Sequence, residues 1–151
     1  MDAVSDSPSI LPLGLPEPVP QPDGLDAPYW EGVRRHELLV QRCNACRGWQ
    51  WGPEWICHHC LSFDIGWDSV VGEARIFSWE RVWHPVHPGL SGAVPYTVLL
   101  VEFPESGGIR MVGNLVGDPE QDVPIGATVL PAFEDHDGAE PPFTLVQWKL
   151  A

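Results

Sequence analysis

All four cysteines of this 151-residue chain fall within "QRCNACRGWQWGPEWICHHCLS", residues 41–62, as two Cys-x-x-Cys pairs ten residues apart. A redox dithiol, a disulfide clasp and a metal knot would each use such pairs. A Cys-x-x-Cys turn aims two thiolates at one point, and two turns on neighbouring hairpins complete a tetrahedral shell. Cys43, Cys46, Cys57 and Cys60 are therefore expected to bind a structural metal ion. The intervening "RGWQWGPEWI" leaves room for a short β-excursion, although the spacing is below the usual range for the pattern. Zinc suits four thiolates, and iron in a rubredoxin-like site satisfies the same pattern. Closed four-thiolate coordination leaves no open position, which argues against catalysis at the metal. Neither pair opens a helix after a buried strand, as a thioredoxin-like dithiol would. His58 and His59, inside the second pair, are expected to be solvated or to support the thiolates rather than to bind the ion.

The chain starts "MDAVSDSPSILPLGLPEPVPQPDG", an acidic stretch without a basic region or a continuous apolar run. It predicts no secretory signal, and no later run approaches membrane-spanning length. No membrane partner and a cytoplasmic location follow as expectations, in a compartment that keeps thiols reduced. Net charge is −13, with one lysine, Lys149, and seven scattered arginines. Phosphate contacts need clustered Lys and Arg, so no nucleic-acid partner is expected: the charge counts heavily against a single-stranded nucleic-acid binder, which ribbons and OB barrels can both be.

Residues 1–27 hold six prolines and five acidic residues, and read as a disordered or polyproline-like tail. That tail is either a solvated leader or an arm that orders on a partner, for which Ile10, Leu11, Leu13 and Leu15 are available. Residues 28–66 read as a short helix feeding a strand and then the cysteine region. Asp26 is the predicted N-cap, Pro28 lies in the first turn, and Tyr29, Trp30 and Val33 share a face. Residues 67–151 read as five strands: "GEARIFSWERVWH", "PYTVLLVEF", "GIRMVGNLV", "IGATVLPAFED" and "FTLVQWKL". "PESGG" supplies one turn, and Pro131 predicts an edge or a bulge. Five strands with the longest first suit a small closed OB-type barrel, because closure removes exposed edges. The expected fold class is mainly β: an N-terminal helix, a rubredoxin-like zinc ribbon, then an OB-fold barrel.

"PYWEGVRRHELLVQRCNACRGWQWGPEWICHHC", followed by "GEARIFSWERVWHP", "VPYTVLLVEF", "GNLVG" and "IGATVLPAFED", resembles a family of acyl-CoA-associated proteins known as domain of unknown function thirty-five. These carry an N-terminal rubredoxin-like zinc ribbon and a C-terminal OB-fold. The resemblance covers roughly residues 28–136 in order and spacing, and it maps the metal positions onto Cys43, Cys46, Cys57 and Cys60. It implies a non-catalytic subunit that binds a thiolase-like, lipid-transfer-protein-like or hydratase enzyme. Such a subunit bridges two enzymes or completes an aldolase acting on CoA thioesters, including those from steroid side chains. One departure is visible: Arg47 stands before Gly48, where the family often places glycine directly after the first knuckle.

No catalytic set emerges from the residues. His84 and His87 in "HPVHP" have metal-like spacing, but the prolines forbid a helix and no third ligand is evident, so an ordered loop is expected. "FEDHDGAE", residues 133–140, offers acid–base or cation-binding groups and reads instead as a solvated turn. No serine sits in a Gly-x-Ser-x-Gly elbow. One surface stands out: period two puts Arg75, Phe77, Trp79, Arg81 and Trp83 on one face of the first barrel strand. Arginine interleaved with aromatics fits an adenine, a CoA phosphate or a protein partner. In the opposing reading, Phe77 and Trp79 fill the barrel and the arginines lie outside it. Trp49, Trp51 and Trp55 are too many for the ribbon to bury, which points to an interface. The chain thus reads as an accessory subunit of a thiolase-type acyl-CoA enzyme in a hetero-oligomer. An iron-binding electron-transfer protein is the alternative from a different class.

Overall fold

Two aromatic residues and a valine on one face fix the first element, α1 (Ala27–Arg34), with Pro28 in its first turn. The computed structural model describes residues 10, 12 and 14–151; the rest of the predicted tail, residues 1–9, 11 and 13, lies outside the described residues. Asp26 occupies the N-cap position, but its carboxylate caps no backbone amide. It accepts the indole N–H of Trp30 at 2.8 Å instead. Val33 is buried, and Tyr29 and Trp30 pack against the core. The chain reverses tightly after α1, where Arg35 and Glu37 both donate their amides to the Gly32 carbonyl. A Cβ on Gly32 would come within 2.8 Å of the Glu37 carbonyl oxygen, so glycine permits this reversal.

The first sheet has β1 (Leu39–Cys43) at its centre, flanked by β2 (Trp49–Gln50) and β3 (Ile65–Ser69), all antiparallel. The second sheet contains β4 (Ala74–Val82), β5 (Tyr96–Phe103), β6 (Ile109–Asn114), β7 (Thr128–His136) and β8 (Phe143–Leu150). Its order is β6-β5-β4-β7-β8 with antiparallel neighbours, an OB-like arrangement in which the chain crosses over after β6 to place β7 beside β4. β7 pairs with β4 only through Thr128 and Val129, so Pro131 sits where one edge is already free and no ladder bond is lost. "PESGG" forms the expected turn, with Gly107 and Gly108 at φ of 69° and 70°.

The expected full closure is not reached. Among the described residues, β6 and β8 meet through one parallel bridge, Leu115 to Trp148, and the Val116 amide donates to the Trp148 carbonyl at 2.8 Å. Just before the bridge, the Asn114 amide goes to the side-chain oxygen of Gln147 rather than to β8 backbone. The fully buried Trp148 indole lies under β6 at Gly113 and takes the space that a further ladder would need.

One core joins the elements. Val33, Leu38 and Val40 from the helix and ribbon pack with Ile76, Leu99, Val101, Phe103, Met111, Val129 and Trp148 from the barrel. A polar latch reinforces the joint: Arg34 pairs with Asp137 at 2.7 Å and His36 with Asp135 at 2.9 Å. Among the described residues, no helix is long and apolar enough to cross a membrane.

A Cβ on Gly113 would lie 2.7 Å from the Val146 carbonyl oxygen and 2.6 Å from Trp148 Nε1. Gly113→Ala should therefore cost about 1–3 kcal/mol by overpacking the seam, read as a lower urea midpoint with an unchanged slope. Partial burial opposes the Asp135 charge, but the Thr144 hydroxyl and the His36 ring outweigh it and hold its carboxyl below the ordinary range. A depressed carboxylate stabilises the fold above its unfolded pKa of about 3.9, and that stability is lost as pH falls through the folded value. The Tm gap between the native chain and Asp135→Asn should hold at neutral pH and narrow as the pH drops below about 4.

Candidate metal centre and the first barrel strand

Cys43 ends β1, and Cys46 lies in the turn that leads to β2. Cys57 and Cys60 form the second turn before β3. The four sulfurs all lie within 4.8 Å of one another. Cys43 and Cys60 Sγ are 3.7 Å apart, and Cys46 and Cys57 Sγ 3.6 Å apart. A disulfide would bring sulfurs to about 2.05 Å, so neither pair is bonded. Thiolates about 2.3 Å from a central ion at tetrahedral angles stand roughly 3.8 Å apart, so the spacing fits a zinc-sized ion.

The two turns repeat one design. Cys43 exchanges backbone bonds with Arg47 and Gly48, and Cys57 does the same with Leu61 and Ser62. Amides of Gly48 and His59 donate to Cys46 Sγ and Cys57 Sγ, each at 3.4 Å. Arg47 and Leu61, each directly after the second cysteine of its turn, take φ of 62° and 63°. The departure at Arg47 thus leaves the turn and its bond to sulfur in place. Its guanidinium pairs with Asp68 at 2.9 Å, beside the Arg42–Asp68 pair.

Without an ion, four thiols this close cannot share negative charge equally. Amides at Cys46 and Ala45 pull the Cys43 thiol down to about 7. The Ser62 amide favours the Cys60 thiolate, but burial and the three neighbouring sulfurs push that thiol up to about 12. A dication would relieve this conflict by coordinating all four thiolates and offsetting part of their charge. His58 and His59 supply no ligand atom: His59 Nε2 lies 3.1 Å from the Trp49 carbonyl, and its ring closes over Gly48.

Two buried glutamines bolt the ribbon together. Gln50 Nε2 donates to Gln41 Oε1 at 2.8 Å, and Gln41 exchanges bonds with both backbone groups of Glu54. Gln50 also accepts the His58 amide at 3.2 Å. They hold the loop between the two cysteine turns. Sequence reasoning missed both; the one available signal was a glutamine directly continuing the apolar run "LLVQ".

The five residues expected on one face of β4 do not share it. A β-bulge shifts the β4–β5 register between Ile76 and Ser78, and an extra residue reverses the alternation. Arg75 lies opposite Glu102, with its side chain exposed beside Glu73. Phe77 is exposed beneath Arg110, whose guanidinium carbon is 3.5 Å from the ring centre. Beyond the bulge, Trp79 lies opposite fully buried Leu99, and Arg81 opposite buried Thr97. Arg81 donates to the Thr97 hydroxyl and to the Gln121 carbonyl. Trp83 lies past the strand end and is exposed. Neither opposing expectation holds whole: the bulge brings Trp79 and Arg81 into register with the core-facing Leu99 and Thr97, yet Trp79 stays 38% exposed and Arg81 is half-buried.

Among the described residues, His84 and His87 join no ligand cluster; His87 Nδ1 accepts the Gly89 amide at 3.0 Å in an ordered loop. Only the second half of "FEDHDGAE" is a solvated turn: residues 133–136 continue β7 and Glu134 is buried, while residues 137–140 form the turn and are mostly exposed. Glu134 accepts bonds from Gln147 Nε2 at 2.9 Å and from the Ile10 amide at 2.9 Å, with His136 Nε2 at 3.0 Å.

Residues 30–66 match the family described as the ChsH2 rubredoxin-like zinc ribbon domain, and residues 67–134 the ChsH2 C-terminal OB-fold domain. The chain belongs to the ChsH2 family of zinc ribbon–OB-fold proteins. It is similar to the solved structure named "Ltp2-ChsH2(DUF35) aldolase", at 34% identity and a TM-score of 0.69, covering 83% of this chain and 93% of that one. A DUF35 protein of unknown function from Sulfolobus solfataricus, at 18% identity and TM-score 0.57, shares the fold over 85% of this chain and 87% of its own. Among curated relatives, "Probable enoyl-CoA hydratase alpha subunit" of Thermomonospora curvata is 37% identical over 129 residues, 83% of this chain. "3-oxo-4,17-pregnadiene-20-carboxyl-CoA hydratase alpha subunit" of Mycobacterium tuberculosis is 31% identical over 149 residues, 91% of this chain. The chain spans 38% and 45% of the length of these two relatives. With its four clustered cysteines, the ChsH2-type ribbon is a metal-binding module.

Leu61 is exposed and held in the left-handed region without a compensating ion pair of the kind Arg47 has. Leu61→Gly should raise stability by about 0.5–1 kcal/mol, because glycine removes the Cβ clash of that conformation. Chemical denaturation of the metal-loaded protein checks this, and Arg47→Gly should gain less.

Proposed function

We propose that this chain is a non-catalytic subunit that docks on a thiolase-like or lipid-transfer-protein-like enzyme and supports its chemistry on acyl-CoA thioesters. The observation that carries this reading is the 34% identity to the Ltp2–ChsH2 aldolase chain over 93% of that chain. The surface supports it: Trp55 and Phe63 on the ribbon are 72% and 79% exposed, with Trp83 and Val86 exposed on the barrel. Aromatic area of this kind in a rigid frame is what interface cores use. The steroid-derived thioester in the Mycobacterium tuberculosis relative's name makes a steroid side-chain thioester the partner's substrate class in this proposal.

Zinc is the proposed ion at Cys43, Cys46, Cys57 and Cys60, on the sulfur spacing and the ribbon match. Bound there it would hold the two turns together and leave no position for substrate. Purified protein should carry one equivalent of zinc by elemental analysis and be colourless. Visible thiolate-to-iron absorption would support iron and electron transfer instead. Cys57→Ser should lose the metal and most of the cooperative unfolding transition.

The names of the two curated relatives favour a second reading, a partner with hydratase activity. Co-expression with a candidate aldolase-type and a candidate hydratase-type enzyme distinguishes the two. A stable complex with the aldolase type, active only when both chains are present, is the expected result. Turnover of an acyl-CoA by this chain alone would overturn the accessory assignment.

A further inference from the structure

A sheet with one face on the core normally turns polar side chains to the other. The part of the barrel made by β4, β5 and β6 does not. Along β5 the buried residues are Thr97, Leu99, Val101 and Phe103, so Tyr96, Val98, Leu100 and Glu102 face outwards. Register lays Ser78, Leu100 and Val112 in one row across the three strands, and Glu80, Val98 and Asn114 in the next. Arg75, Glu102 and Arg110 form the row on the other side of Leu100. Val112 is 67% exposed, and Phe77 at the bulge 43%. An open depression of about 350 Å³ lies over the middle of the face, with Trp79, Val98, Leu100 and Val112 in its lining. An apolar patch bounded by charged side chains on a sheet marks a contact surface.

Charge decides what fits there. The chain carries −13, so two copies repel wherever their acidic surfaces approach. These three rows are an exception, holding two arginines, Arg75 and Arg110, and two glutamates, Glu80 and Glu102. Glu80 and Arg110 stand at diagonally opposite corners, with Leu100 midway between them. Among the described residues, no group pairs with the Glu80 carboxylate. Arg110 gives Nε and one terminal nitrogen to Glu102, which leaves the other terminal nitrogen for an acceptor. A two-fold axis in the plane of the face, perpendicular to the line joining these corners, sets Glu80 of each copy against Arg110 of the other. The same operation packs Leu100 on Leu100 and crosses the strands steeply, close to the orthogonal class of sheet packing. The face is thus complementary to itself in both shape of charge and apolar centre. A basic partner would instead be drawn to the net-negative surface elsewhere on the chain.

We propose that the outer face of β4–β5–β6 is the contact between two copies of this chain in an isologous dimer, centred on Leu100 and Val112 and oriented by reciprocal Glu80–Arg110 pairs. Three short rows make a small interface, so the dimer dissociates in about the micromolar range. Trp55 and Phe63 lie on the ribbon and outside this contact, so one dimer presents two ribbon ends for docking. The inference goes beyond the accessory reading and does not depend on it, because self-association needs no enzyme.

Sedimentation equilibrium of the full, metal-loaded chain over a concentration series that spans the micromolar range is the test. The expected result is a reversible monomer–dimer equilibrium. Val112→Asp puts a charge in the apolar centre and should weaken the dimer at least about tenfold. Its urea midpoint should not move, because Val112 is exposed in the monomer. Glu80→Arg sets like charges together twice and should weaken the dimer about tenfold, whereas Phe63→Asp on the ribbon should leave it unchanged. A chain that stays monomeric throughout would overturn the proposal. So would a dimer that survives both Val112→Asp and Glu80→Arg, or one that Phe63→Asp dissociates. A monomeric chain whose Val112→Asp variant fails to bind the enzyme would give the face to the enzyme and overturn self-association.

Discussion

Convergence of four sulfurs on one point is the constraint on which the rest of the molecule depends. The ribbon sheet is small: β2 has two residues and β1 and β3 five each. Such a sheet buries too little to hold itself together, and isolated two- or three-stranded structures need a second source of stability. A metal ion supplies it, worth on the order of 10 kcal/mol or more in small zinc modules. What the ion fixes is not confined to the ribbon. β1 begins just after Leu38 and carries Val40, and both enter the core shared with the barrel. A ribbon held in register by sulfur thus delivers two side chains and the helix-borne Val33 to a barrel that closes incompletely on its own.

Polar groups then set the geometry that apolar packing leaves loose. The Gln41–Gln50 pair is nearly inaccessible, and its bonds run to the backbone of the loop between the cysteine turns. Buried amides of this kind tolerate few alternatives, because an unpaired donor costs more than a formed bond gains. The same reasoning applies at the other end of the molecule, where Arg34, His36, Asp135 and Asp137 fix the helix to the β7–β8 hairpin. Helix, ribbon and barrel thus share one core and one polar joint, an arrangement suited to a protein whose proposed work is to be docked against.

The β4 bulge shows how one residue changes what a surface offers. With strict alternation, Arg75 through Trp83 would form a single aromatic and cationic stripe. The extra residue at Phe77 divides it, leaving Phe77 outside with Arg110 stacked upon it and bringing Trp79 and Arg81 into register with the core-facing residues of β5. The arginines that a phosphate would need are engaged within the chain, with Glu73, with Glu102, and with Thr97 and Gln121. Exposed aromatic area is what remains available on this strand.

The sequence by itself determined the metal-binding ribbon, the helix before it, the five strands and their order of appearance. Each is written in local spacing: two residues between paired cysteines, alternation along strands, and turn residues at fixed places. Arg47 was legible as a departure, though not that it would take a left-handed conformation and still leave the sulfur bond intact. Tertiary structure alone decided the bulge at Phe77, the seam left open at Trp148, and the burial of Glu134, Gln41 and Gln50. A bulge depends on how two strands a score of residues apart come into register. A carboxylate in "FEDHDGAE" is buried among partners that include Gln147, thirteen residues on, and the amide of Ile10, more than a hundred residues earlier. Local pattern records which residues can form an element; which face of that element another part of the chain covers is a property of the assembled fold.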